Sequence, residues 1–285
     1  FEINGAYYMI YKTRVLILIS ILFLNTNSCT KKDDIKKNDM MFTKSVEVFG
    51  IKILATKNTG DAKIIHAAKI LAQYLDNDEN GEVDNKLVVD KMTSVGATLV
   101  MFKDEEESEK FIYEYEGEDL DHAQGLYDDE TITTFNKNNS NSRFDASLEE
   151  VLHLITHEGY SKVYSELAEE KGSTIANAMD KARGGYFLSP PSKYPAGAWY
   201  SYDDETCTYD CMITEYFYWS LTSVLGAQAY PGRFDEIGHE WKLNTLEKVK
   251  STDTDIYSIL SNEKFSFPSI LPDNIYNGFE ITLKN

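Results

Sequence analysis

Apolar positions along the chain fall into segments of two periods. From Ser45 to Thr56, Val46, Val48, Ile51 and Ile53 recur at strand spacing, which predicts a strand or hairpin. From Asp61 to Leu75, Ile64, Ile65, Ala68, Ile70, Leu71 and Leu75 recur at helical spacing, and Asn85 to Ser94 reads as a second, shorter helix. Ala97 to Phe102 is a continuous apolar run, predicted as a buried strand. Asp104 to Glu116 reads as an acidic helix, Thr131 to Phe135 as a strand and Asn136 to Arg143 as a polar loop. Beyond this point the pattern is mainly helical. A long helix opens at Asp145-Ala146-Ser147, with Asp145 or Ser147 as its cap, and runs to about Glu170. Ser173 to Ala182, Asp210 to Ala227, Phe234 to Val249 and Asp255 to Leu260 follow. The prediction is an α+β domain over residues 45–285, with a small sheet-containing half (45–143) and a larger helical half (144–285).

Composition narrows the function classes. The 285 residues carry 28 Lys and Arg against 47 Asp and Glu, a formal charge of −19. Nucleic-acid binding is excluded as an expectation, because phosphate contacts need clustered cations. Docking on anionic lipid through a basic face is disfavoured for the same reason. At 42% hydrophobic and 13% aromatic, the chain has the means to fold around a core. Three cysteines are too few for a disulfide-stapled mini-fold.

The N-terminal segment reads as an address. Met9 serves as the expected initiator, with residues 1–8 upstream of it. Lys12 and Arg14 precede the apolar run Val15 to Leu24, which is too short to span a bilayer and suits a signal-peptide core. The following Asn25-Thr26-Asn27-Ser28-Cys29 resembles the lipobox of bacterial lipoproteins, although Thr26 and Asn27 depart from the usual residues there. Thr30-Lys31-Lys32-Asp33-Asp34 resembles the charged tether of Bacteroidota surface lipoproteins. The resemblance implies removal of residues 1–28, lipidation of Cys29, a tether over 29–44 and an outer-membrane lipoprotein of the cell envelope, periplasmic or surface-exposed. Export places Cys207 and Cys211, four residues apart, in an oxidising compartment where a local disulfide is expected.

Two segments carry metal chemistry. Asp76-Asn77-Asp78-Glu79-Asn80-Gly81-Glu82-Val83-Asp84 matches the first nine positions of an EF-hand loop and lies between two predicted helices. The resemblance implies calcium held by Asp76, Asp78, Asn80, the Glu82 carbonyl and Asp84, in a structural role. Leu87 stands where the bidentate Glu of an EF-hand belongs, which removes two ligand oxygens and weakens the expected affinity.

The second segment is Leu148-Glu149-Glu150-Val151-Leu152-His153-Leu154-Ile155-Thr156-His157. Glu149, His153 and His157 form one stripe of a helix, about 12 Å long, so an adjacent pair can reach one ion. Glu149-Glu150-x-x-His153 resembles the zincin helix H-E-x-x-H with Glu in place of the first His. In that register Glu149 and His153 bind zinc, and Glu150 is the general base. In the other register His153 and His157 bind zinc, Leu154 replaces the zincin Glu, and Glu150 acts from one turn back. Neither register reproduces the family motif in full. Glu215 in the apolar helix, or His239, would supply the third ligand.

The resemblance implies a zincin-like fold and hydrolysis of a peptide or related bond. A competing class is a non-catalytic, calcium-stabilised surface protein that binds a peptide or glycan. A third, a di-iron carboxylate bundle, rests on the two E-x-x-H pairs Glu150–His153 and Glu236–His239. The aromatic segment Tyr186 to Asp204 offers Trp199, Tyr200 and Tyr202 as substrate contacts.

Overall fold

The alternation at the start of the domain closes into a hairpin. A computed structural model describes residues 41–114, 120–139 and 143–285, with the backbone alone at 112–114. The signal segment, Cys29 and the tether up to residue 40 lie outside the described residues. Strands β1 (Phe42–Val48) and β2 (Ile51–Thr56) pair antiparallel, with Val48 opposite Ile51. The two connecting residues both have positive φ, Phe49 at 50° and Gly50 at 83°, which suits the right-handed twist of a two-residue hairpin. Phe49 is held there by edge-on contact with Phe279 at 5.1 Å. Because β1 starts at Phe42, the chain is already ordered within the segment read as tether.

Two crossovers complete the sheet. Helices α1 (Asp61–Leu75) and α2 (Lys86–Val95) connect β2 to the parallel strand β3 (Thr98–Phe102), and α3 (Glu105–Glu114) connects β3 to the parallel strand β4 (Ala123–Tyr127). The order is β1-β2-β3-β4. Every residue of β3 is buried. Leu99 and Met101 join the main core, and Val100 and Phe102 pack with Phe111 of α3. That two-sided burial explains why the sequence of β3 is apolar without alternation. Strand β4, at the edge, buries only Leu126, and its weak pattern was not predicted.

The predicted strand at Thr131–Phe135 is instead irregular and turn structure. The Thr131 N–H and hydroxyl both bond the Tyr127 carbonyl, and Asp145 takes the Ile132 N–H, so the backbone groups a strand would use are engaged locally.

The predicted helix 145–170 is interrupted. Helix α4 spans Ser147–Ile155, passes through a π turn at Thr156–Tyr160 and ends after Ser161–Val163. The Asp145 carboxylate accepts the Ser147 N–H at its start. At the π turn Gly159 lies against α2, where a Cβ would come within 2.6 Å of Val88 Cγ1 and 3.2 Å of Met92 Cγ.

Helices α5 (Thr174–Arg183) and α6 (Tyr209–Val224) follow the predicted segments within three residues. The predicted helix 234–249 is two pieces, α7 (Arg233–Ile237) and α8 (Leu246–Thr252). Between them Trp241 is wholly buried and bridges to Tyr200, and Thr245 opens α8 by accepting the Lys248 N–H. Helix α9 (Thr254–Leu260) closes the helical part. The α+β class holds, with the four-stranded sheet first and mostly helices after it.

The close contact at the π turn gives a stability prediction. Gly159→Ala is expected to destabilise the fold by about 1–3 kcal/mol through overpacking, measured by urea unfolding. Pairing it with Val88→Ala should recover part of the loss.

Candidate metal centre

A carboxylate in the middle of an apolar helix needs a partner, and α6 carries one at Glu215. Residues Cys211 to Ser223 of this helix are all buried, so Glu215 cannot reach solvent by rotation. It faces α4, where the four-residue spacing puts Glu149 and His153 on one side. One ligand atom from each of Glu149, His153 and Glu215 lies within 4.8 Å of the others. All three are interior, with Glu149 0% exposed and both His153 and Glu215 2%.

The imidazole has two distinct edges. Its Nε2 lies 3.6 Å from Glu215 Oε2, and its Nδ1 lies 3.5 Å from Glu150 Oε2. Tyr218 of α6 meets the ring edge-on at 5.5 Å. Glu150 is drawn toward the sheet, where Gln124 of β4 donates to its Oε2 at 2.8 Å. Glu150 therefore stands behind the imidazole, opposite the edge that meets Glu215. On the other side Tyr202 donates its hydroxyl to Glu215 Oε1 at 3.1 Å.

The donor set fits a small divalent ion. Tetrahedral zinc with bonds near 2.0–2.1 Å separates its ligand atoms by ~3.4 Å, close to the 3.6 Å between His153 and Glu215. One imidazole and two carboxylates are also donors that zinc accepts. Glu150 beside Nδ1 is the kind of outer carboxylate that orients a metal-bound histidine.

His157 takes no part in this group. The π turn carries it off the Glu149–His153 stripe, and its Nδ1 pairs with Glu169 Oε2 at 2.5 Å. Thr214, beside Glu215, donates to the other Glu169 oxygen. Burial works against charge on His157, but the Glu169 hydrogen bond and charge outweigh it and raise its pKa. His157 Nε2 is 3.4 Å from Glu158 Oε1, and His122 Nδ1 contacts Glu158 Oε2 at 2.9 Å. The register that pairs His153 with His157 is thus not the one the fold assembles. Glu158, Glu169, His122 and Gln124 were not singled out from sequence: Glu169, His122 and Gln124 have no fixed spacing to α4, and Glu158 meets His122 only through the fold.

The other third-ligand candidate, His239, is on the surface, grouped with Asp203 and Glu240. Glu236 pairs with Arg233 at 2.9 Å, so the second E-x-x-H pair does not converge with the first. This removes the geometric basis of the di-iron arrangement.

The acidic loop is formed between α1 and α2. Asp76, Asp78 and Asp84 each offer an oxygen within 4.8 Å of the others. Buried Asp76 accepts the N–H groups of Asn80 and Gly81, and Gly81 adopts φ 89° as the sharp turn requires. Asn80 accepts the N–H of the exposed Glu82 and donates to Asp78. Burial, together with Asp78 and Asp76, raises the Asp84 carboxyl above its ordinary pKa, against the Asn77 N–H that it accepts. Leu87 is 61% exposed and contributes no ligand. The C-terminal segment wraps the loop instead, with the Tyr276 hydroxyl donating to Asp76 Oδ2. A shallow cleft of about 270 Å³ opens beside it, lined by Asn77, Asp78, Asp84, Phe267 and Ile270.

The aromatic segment is mostly structural. Trp199 Nε1 donates to Asp253 at 2.7 Å, and the wholly buried Tyr200 donates to the Met212 carbonyl at 2.9 Å. These two tether the segment to the helical core, with Tyr200 wholly buried and Trp199 half-buried. Of the three, Tyr202 reaches Glu215. Cys207 and Cys211 are disulfide-bonded, tying the end of the segment to the first turn of α6.

Asp253 also accepts the Tyr216 hydroxyl. Burial raises its pKa above the ordinary 3.8, against the hydrogen bonds from Trp199 and Tyr216. A raised folded pKa means that the proton favours the fold: this stability is complete below the unfolded value and is lost as pH rises through the folded one. Asp253→Asn stays neutral throughout. Its stability relative to the native chain is expected to improve from about pH 3.5 toward 7, read by urea unfolding at each pH; a constant difference would contradict this. In comparisons with protein families, curated proteins and solved structures, nothing matches this chain.

Proposed function

We propose that this chain is an exported, lipid-anchored metal-binding protein of the bacterial cell envelope, with zinc held by Glu149, His153 and Glu215 and calcium bound in the 76–84 loop. The carrying observation is the convergence of two carboxylates and an imidazole inside the core. Like charges at that depth are costly unless a cation or proton stands between them. The export and anchoring part rests on the N-terminal sequence through Cys29. No helix among the described residues is long and apolar enough to cross a membrane.

The second reading is a zinc-dependent hydrolase acting on a peptide or related bond, favoured by the E-E-x-x-H order and a Glu on a later helix. Zinc would supply Lewis-acid activation of water. Glu150 would take the proton at a carboxylate oxygen, which requires it to leave Gln124 and turn past the imidazole. Tyr202 would also have to withdraw to admit substrate.

Glu150→Gln separates the two readings. As an orienting partner of His153, Glu150 is expected to matter for metal retention, with zinc affinity falling about 10–100-fold on substitution. As a general base, it would leave zinc affinity unchanged and abolish peptide hydrolysis. Zinc content by elemental analysis and turnover on a peptide library measure both. A purified chain that takes up no zinc after refolding with it would refute the metal assignment itself.

Calcium is tested by stripping metals with EDTA, removing the chelator and restoring calcium alone. A weak site of the extracellular type should raise Tm by about 3–5 °C at roughly 10 mM Ca²⁺. Asp78→Ala should cancel that rise while leaving the zinc response intact.

A further inference from the structure

The segment that seals the buried group continues directly into a second set of ligand atoms. Tyr202 bonds Glu215, and its neighbour Asp203 lies with His239 and Glu240 at the surface. One donor atom from each of these three is within 4.8 Å of the others. His239 Nε2 is 3.1 Å from Glu240 Oε1. The imidazole sets this group apart from the acidic surface around it, because nitrogen with carboxylate oxygen is a donor set for zinc and similar transition metals.

The two chain segments are already locked together before any ion arrives. Ser201 N–H donates to the Glu240 carbonyl at 2.7 Å, and the Ser201 hydroxyl donates to the His239 carbonyl at 2.7 Å. Tyr200 bridges to Trp241, and the Lys242 N–H bonds the Trp199 carbonyl at 3.0 Å. These bonds fix the backbones that carry Asp203, His239 and Glu240, so an ion would have to order little more than the side chains. The negative charge of the whole chain enriches cations at this surface.

We propose that Asp203, His239 and Glu240 form a second, surface site for a divalent transition-metal ion, which staples the 199–203 segment to the turn after α7 and so holds Tyr202 over Glu215. Three protein donors leave a position for water or an outside ligand. The binding claim is independent of whether Glu149, His153 and Glu215 hold zinc.

Zinc titration of the untagged, metal-stripped full chain by calorimetry tests it, with His239→Ala and His153→Ala as separate variants. His239 is about half exposed, so its removal should leave the circular-dichroism spectrum unchanged. The expected result is loss of one zinc equivalent, or an affinity drop of about tenfold or more, in His239→Ala. His153→Ala should retain that equivalent even if the buried site is lost. Asp203→Asn should weaken the same step. Zinc should also slow proteolysis within residues 187–206 in the native chain and not in His239→Ala. Equal stoichiometry and affinity in the native chain and His239→Ala would overturn the proposal. So would zinc uptake that only His153→Ala removes.

Discussion

The helical half is organised around a buried group that an apolar core would reject. Glu149 and Glu215 are interior, and the imidazole of His153 is grouped with them. Desolvating one carboxylate costs several kcal/mol, and two facing each other add repulsion. The surroundings answer this with oriented dipoles and donors. Tyr202 donates to Glu215 and Tyr218 packs edge-on against the imidazole, while Gln124 holds a third carboxylate, Glu150, at the far edge of the ring. Each comes from a different direction, so helix α4, strand β4, helix α6 and the aromatic segment must all be in place together.

That requirement explains features that otherwise look like irregularities. Had α4 continued as a regular α-helix, His157 would have stayed on the stripe below His153. The π turn removes it and delivers it to Glu169, which is itself held by Thr214 one residue before Glu215. The result is two stacked polar layers between α4 and α6, His153 with Glu215 and His157 with Glu169. Gly159 permits the same turn to lie against α2, so the local helix change is coupled to the packing of the crossover that carries the 76–84 loop. The aromatic segment has a comparable logic. Trp199 and Tyr200 spend their polar atoms on Asp253 and the Met212 carbonyl, and this anchoring delivers Tyr202 to Glu215.

Much of this architecture is legible in the sequence where one period dominates. Helix α1 was predicted at its observed bounds because its apolar stripe runs from Ile64 to its last residue, Leu75, and β3 because burial on both faces leaves Leu99 to Phe102 an unbroken apolar run. The failures share a cause. Strand β4 buries a single leucine, so its placement depends on backbone pairing with β3, which leaves no side-chain pattern. The break in the 145–170 segment depends on contact between Gly159 and α2, some 70 positions earlier in the chain. Within the candidate site, Glu149, His153 and Glu215 were named from spacing and from the oddity of a carboxylate in an apolar helix. Glu169, Glu158 and Gln124 were not, since their roles arise only when separate segments meet.

Glu150 shows how the same four-residue motif can support different chemistry. In the sequence it occupies the place of a zincin base, but chemistry depends on which edge of the imidazole it meets. The hydrogen bond from Gln124 holds it at Nδ1, while Nε2 points to Glu215. A base must reach the water that the metal activates, and a group behind the ring cannot do so without crossing it. Strand β4 therefore bears on the candidate site more than its short sequence suggests: through Gln124 it holds Glu150 on the Nδ1 side of His153, away from the edge that meets Glu215.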